Sequence, residues 1–187
     1  MGKRDEREQR DRTSDARDAR TSARASSRTR TASLVVNGWT LLFWTAFRER
    51  WDAMRDAARD AREADPDGFA HAPAVKLFRT VRDLVFEEIP ADPDHPQFRQ
   101  GKTLGGVHTH WRRAKFHQRF RLFFRFHTAS RTIIYAWLND ENTLRKEGSR
   151  SDPYAVFHRM LERGTPPTDW EALVRESRDA PDRPTDT

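Results

Sequence analysis

The chain has no cysteine among its 187 residues, which excludes disulfides, thiolate metal sites and a thiol nucleophile. No stretch approaches the roughly 18 to 20 consecutive apolar residues that span a bilayer, and the beginning carries no apolar signal segment. A cytoplasmic protein with no membrane contact is the expectation. Acidic residues are missing from one long interval. Between His95 and Asn139 there is no Asp or Glu, while Arg99, Lys102, Arg112, Arg113, Lys115, Arg119, Arg121, Arg125 and Arg131 supply nine positive charges. A field of one sign is costly to assemble and favours a polyanion. Ordinary surfaces mix signs, so nucleic acid is the expected partner, although an acidic protein satisfies the same electrostatics.

Large apolar side chains are also nearly absent from residues 1–33, where ten basic and six acidic residues alternate with Ala, Ser and Thr. Nothing in this stretch repays the entropy of ordering, so a disordered basic arm is expected there. A flexible tail is expected at 179–187, which leaves 34–178 as one folded domain.

Inside that domain the periodicity changes twice. Trp39, Leu42, Phe43, Phe47, Trp51, Met54, Ala58 and Ala61 recur at helical spacing, predicting a helix that starts near Trp39, is capped by Asn37 and ends at Asp65–Gly68. A second helix is predicted from Pro73 to Glu88. From Leu104 the pattern becomes that of short antiparallel strands, with turns near His117–Arg119 and Ala129–Arg131.

Period-two geometry then sorts the side chains. Phe120, Leu122, Phe124 and Phe126 share one face with Ala114 and Phe116, while Arg113, Lys115, Arg121 and Arg125 share the other. The parity of Trp137 matches Ile133 and Tyr135, so spacing does not settle its face. Asp152 before Pro153 predicts a further helix, and Thr168 with Glu171 predicts a capping box for a last one.

The candidate chemistry is phosphate binding. An arginine fork holds two phosphate oxygens and lysine offers a compact charge. "GKTLGG" at 101–106 lacks the spacing of a nucleotide-binding phosphate loop and reads as a loop with Lys102 available to a substrate. His108 and His110 form an H-x-H pair with no carboxylate nearby in sequence. Packing, phosphate contact or proton transfer is therefore expected of the histidines, and neither a metal nor another cofactor is expected. Asn139, Asp140, Glu141, Asn142, Thr143 and Arg145 follow the apolar strand as site residues or turn caps. Tyr154 reads either as core or as a group that stacks on a base or donates a proton.

Several separated motifs carry a family resemblance: "VNGWTLLFW" at 36–44, "FRQGKTLGG" at 98–106, "WRRAKFHQRFRLFFRF" at 111–126, "IIYAWLNDENTLRKEG" at 133–148, "DPYAVFHRML" at 152–161 and "RGTPPTDWEAL" at 163–173. In this order they resemble the YhaV family of bacterial type II toxins. The resemblance implies a RelE-like α+β fold, a small antiparallel sheet with helices packed on one face and an RNA-cleaving surface on the other. It also implies a swapped-hairpin AbrB/PrlF-like antitoxin as partner, and operator DNA bound through the toxin–antitoxin complex.

The superfamily's Y-R-L arginine is matched by Arg121 in "FRLFF", and its preceding-strand lysine by Lys115 or Arg113. The arginine that better known members place after the last central strand is replaced here by "NDEN", leaving Glu141, Arg145, His117 or His127 to stand in. The catalytic candidates are thus Arg121, Lys115, Arg113, His117 and Glu141. Arg112, Arg119, Arg125, His127, Lys102, Arg145 and Trp137 are the RNA-binding candidates. The competing expectation is an RNA- or ribosome-binding protein that cuts nothing.

Overall fold

A computed structural model describes residues 34–144, 146 and 148–179. The expected arm at 1–33, the tail beyond Asp179 and the candidate Arg145 lie outside the described residues. The remainder is an α+β domain built on a five-stranded sheet of order β1-β2-β5-β4-β3.

The described residues open with a hairpin, not a helix. β1 (Leu34–Val36) and β2 (Trp39–Phe43) pair antiparallel with Val36 opposite Trp39. Asn37 and Gly38 make the two-residue turn at φ 50° and 76°. Two consecutive left-handed residues match the right-handed twist of the strands, which is why Asn-Gly is favoured in such turns. Burial along β2 alternates, so Trp39 and Phe43 face the core at period two, although the same residues also fit a helical stripe.

The helix α1 spans Thr45–Ala64 and buries Phe47, Trp51 and Met54. α2 runs over Pro73–Asp83 and continues into a π turn at Leu84–Glu88. In that wider turn the Val85 carbonyl accepts the Tyr135 hydroxyl at 2.7 Å. Burial pushes the Tyr135 phenol well above its ordinary range, so it remains a hydrogen-bond donor that ties the sheet to α2.

β3 (Arg112–Phe116), β4 (Phe120–His127) and β5 (Thr132–Leu138) form the predicted antiparallel meander. His117 and Gln118 at φ 40° and 59° make the first turn, and Arg131 at φ 48° ends the second. β2 then adds to β5 in parallel. The sheet is therefore mixed, a long-range pairing that no local pattern announces.

Both faces carry helices. Leu122, Phe124, Ile133 and Tyr135 pack with α1 and α2 in one cluster. α3 (Pro153–Glu162) and α4 (Trp170–Asp179) cover part of the other face, where Phe123, Ile134, Phe157 and Leu173 form a second cluster. Asp152 caps α3 as predicted, accepting from the Tyr154 N–H. The α4 start differs from the predicted capping box: Asp169, not Thr168, accepts the Ala172 N–H at 2.8 Å. Among the described residues no helix is long and apolar enough to cross a membrane.

Candidate nucleic-acid cleavage site

β3 and β4 place Lys115 directly opposite Arg121, with Arg113 two residues along β3 and opposite Phe123. Like charges facing each other across a ladder are unfavourable on their own. Leu122 and Ala114 fill the α1/α2 core on the reverse face, so a slip of one residue would drive these cations into it. The hydrophobic pattern thereby fixes where the cations point.

Tyr154, from the first turn of α3, completes the cluster. Arg113 Nε donates to its hydroxyl at 2.8 Å, and the Arg121 guanidinium lies 5.9 Å from its ring centre. Arg113 also donates to the Gln97 carbonyl at 2.9 Å, and Arg121 to the Gln118 and Phe120 carbonyls at 3.0 and 2.7 Å. Both guanidinium groups are held against backbone and are only 9% and 6% exposed. Arg121 Nε is buried without a hydrogen-bond partner among the described residues. No described carboxylate lies within ion-pair distance of Arg113, Arg121 or Lys115. Buried cations without a counter-charge are expensive, and an incoming phosphate removes that cost.

Asn139, at the end of β5, holds this arrangement from below. Its buried amide accepts the Arg121 N–H and donates to the carbonyls of Thr143 and Arg119 at 2.9 and 3.3 Å. Asp140 caps the following turn. Burial works against its ionised form, but hydrogen bonds from Thr143 and Asn142 outweigh that and hold it below the usual carboxylate range.

A cleft of about 390 Å³ opens along the outer edge of β3, lined by Arg113, Lys115, Gln97, Arg99 and Glu88 among others. A second, of about 460 Å³, lies beside α3 and is lined by Tyr154, His158, Arg159, Thr103 and Ser149. The hydrogen bond between Arg113 and Tyr154 joins the two.

The other sequence candidates lie elsewhere. His117 and Glu141 border an apolar cleft between α1 and α2; Glu141 pairs with Arg50 at 2.8 Å, and His117 Nε2 sits 3.1 Å from Thr80 Oγ1. Arg112 faces the α1/α2 side, pairs with Asp94 at 2.9 Å and lies over Phe126. Arg125 is sandwiched between Trp111 and Trp170 at 5.5 and 5.2 Å and donates to the Thr168 carbonyl. Burial lowers Arg125 to about 10. His127 lies against Trp170 at the far end of β4, the ring centres 5.4 Å apart and tilted by 41°. Arg119 and Lys102 are exposed on turns.

Trp137 stacks on Phe123 and Phe157, on the face opposite Ile133 and Tyr135. A β-bulge causes the switch, because the partners of Phe123 and Phe124 are Trp137 and Tyr135, with Ala136 left over. The H-x-H histidines sit near His158, with His108 5.9 Å from it. Burial and the neighbouring His158 lower His108; burial, then the charges of Arg125, His108 and Arg112, lower His110 to about 4. Among the described residues no group of three His, Asp or Glu is placed to hold a metal.

Residues 41–178 match the family model of the YhaV toxins, described as toxins with endonuclease activity of toxin–antitoxin systems. The chain belongs to the YhaV toxin family. It is 44% identical over 144 residues to the ribonuclease toxin YhaV of Escherichia coli K12, covering 76% of this chain and 94% of that protein. The toxin YhaV of Escherichia coli O157:H7 matches to the same extent, and that of strain O6:H1 is 42% identical over 147 residues, 78% of this chain and 96% of the relative. No solved structure matches the chain. The matched span of this family member begins in β2 and ends in α4, so it contains Arg113, Lys115, Arg121 and Tyr154. Of these four, Tyr154 is the one the sequence left between packing and chemistry; only the fold shows its hydroxyl meeting Arg113.

Proposed function

We propose that this endonuclease toxin cuts RNA by internal attack, the 2'-hydroxyl oxygen bonding to the adjacent phosphorus as the bond to the 5'-oxygen breaks. The products are a 2',3'-cyclic phosphate and a 5'-hydroxyl, with one proton leaving the 2'-oxygen and one reaching the 5'-oxygen. The observation that carries this reading is the pair of buried guanidinium groups at Arg113 and Arg121, lacking any described carboxylate and opening beside Lys115.

Preorganised cations stabilise charge that grows on phosphoryl oxygens, because they need no reorganisation during the reaction. Arg121 and Arg113 take that role, with Arg113 in the position that parity alone offered equally to Arg125. Lys115, in the β3 cleft, and Tyr154, in the α3 cleft, lie on either side of the Arg113–Tyr154 contact and are the groups assigned to move the two protons. Glu88 is the one described carboxylate that lines the β3 cleft beside these cations, too few oxygen ligands for a resident hard cation, which favours a mechanism without a metal. The cellular substrate is messenger RNA, cut on the ribosome, so that translation and growth stop. An AbrB/PrlF-like antitoxin neutralises the toxin in the cytoplasm, and their complex binds operator DNA.

The test is cleavage of RNA by purified wild-type and Arg121→Ala protein, with and without ribosomes, and mapping of the product ends. Removing one such cation is expected to lower the rate about 10²–10³-fold while circular dichroism is unchanged. Full activity in folded R121A would remove Arg121 from the site, and 5'-phosphate ends would replace internal attack by hydrolysis. Wild-type protein that binds RNA but yields no products under either condition would make it a non-catalytic binder.

A further inference from the structure

The α3 cleft lies on the far side of the Arg113–Tyr154 contact from the β3 edge, and its chemistry is unlike the apolar cleft between α1 and α2. Thr103, Ser149, Asp152, Tyr154, His158 and Arg159 line it. Tyr154 and His158 are one helical turn apart and so share a face of α3. Glu162 Oε2 stands 3.7 Å from His158 Nδ1, which orients the ring, and Nε2 points toward Gly105, 3.9 Å from where a Cβ there would lie. Gly105 adopts φ 82°, so the backbone of the 101–106 loop approaches the imidazole without a side chain between them. Arg159 donates to the Arg150 carbonyl at 2.6 Å, tying one of its nitrogens to the loop before α3.

Asp152, the one carboxylate among the described residues of the lining, accepts the Tyr154 and Lys146 N–H groups on its two oxygens. Its charge is thereby turned toward backbone donors, and a phosphate entering the cleft meets Arg159 and His158. Hydroxyls at Thr103 and Ser149, beside a ring and a guanidinium, are the mixture that reads a nucleobase edge in single-stranded RNA.

We propose that this cleft is a nucleotide subsite, holding the residue of single-stranded RNA that neighbours the cut, with His158 and Arg159 positioning it. The proposal rests on the reading of RNA as the substrate. The strand then crosses the Arg113–Tyr154 contact, its scissile phosphate beside Arg121 and Lys115 and its neighbour against α3, so that base preference at the cut is set by the α3 side.

The test uses full-length protein carrying His158→Ala or Arg159→Glu, and Arg163→Glu as an equal charge reversal on an exposed residue just beyond α3 and outside the cleft. Binding of a fully 2'-O-methylated oligonucleotide, which internal attack cannot cut, is read by fluorescence anisotropy. Cleavage of the matching RNA gives KM, kcat and the distribution of cut sites. The expected result is at least tenfold weaker binding and a KM raised to match for both cleft variants, with kcat within about twofold, a broadened set of cut sites, and less than a threefold change in R163E.

Equal weakening in R159E and R163E would reduce the cleft to general electrostatics and overturn the subsite. Unchanged binding and cut sites in both cleft variants would also overturn it. Arg159 is exposed, so R159E remains decisive where H158A fails to fold. Failure of wild-type protein to cleave would count against the proposed reaction alone, because the anisotropy measurement still decides the subsite.

Discussion

The hydroxyl of Tyr154 is the smallest feature on which the proposed chemistry turns. Replacing Tyr154 by Phe keeps the ring against Phe123 and deletes only the oxygen that Arg113 Nε meets at 2.8 Å. If the phenol moves a proton, cleavage falls about 10²-fold or more, while stability falls by about 1.5–3 kcal/mol for the charge-assisted hydrogen bond to Arg113. Cleavage rates at equal folded fraction check this, and unchanged rates would leave Tyr154 a packing residue. A second residue-scale expectation concerns His110. Its folded-state value of about 4 lies below the ordinary histidine value of 6.5, so between these pH values the unfolded chain binds the extra proton. Stability from this group is complete above pH 6.5 and is lost as pH falls toward 4. Urea midpoints measured across that window should flatten in His110→Gln, and an unaltered slope would show that another group carries it.

Elements were legible wherever local pattern and long-range pairing agreed. The β3–β4 hairpin is the clearest case: an apolar set and a cationic set of opposite parity admit only one register, and Lys115 faces Arg121 as the alternation requires. The second strand of the first hairpin reads as the start of a helix because Trp39, Phe43 and Phe47 satisfy both periods, and the decisive signal is Asn37-Gly38, whose paired positive φ values belong to a two-residue turn. Trp137 was undecidable for a different reason. A bulge at Ala136 shifts the strand's parity, and nothing in a single sequence marks the extra residue. At this scale Gly38→Ala is expected to cost about 1–2 kcal/mol, the penalty of an L-residue in the left-handed region, and its Cβ would meet the Arg131 guanidinium at 3.1 Å. Urea unfolding measures the loss. Cleavage per folded molecule stays the same, since the turn lies outside the site.

Charge over the whole chain divides unevenly, and the division makes a separable prediction. The formal +6 consists of +4 in residues 1–33, ten basic against six acidic, +4 in the domain at 34–178, and −2 in residues 179–187. The domain is thus no more basic in total than the first 33 residues, and what sets Arg113, Lys115 and Arg121 apart is their placement and the burial of the two arginines. The first 33 residues add attraction of a different kind, long in range and indifferent to geometry. Each charge that displaces a counterion from single-stranded nucleic acid contributes about 0.7 to the slope of log affinity against log salt. Removing residues 1–33 should then make that slope shallower by up to about 3, weaken binding at low salt, and leave kcat unchanged because every described site residue remains. At high salt the full and shortened chains should bind alike, since screening abolishes what the basic segment supplies. Parallel salt curves for the two chains would mean that all of the affinity resides in the folded domain, and that the buried arginine pair alone draws the strand in.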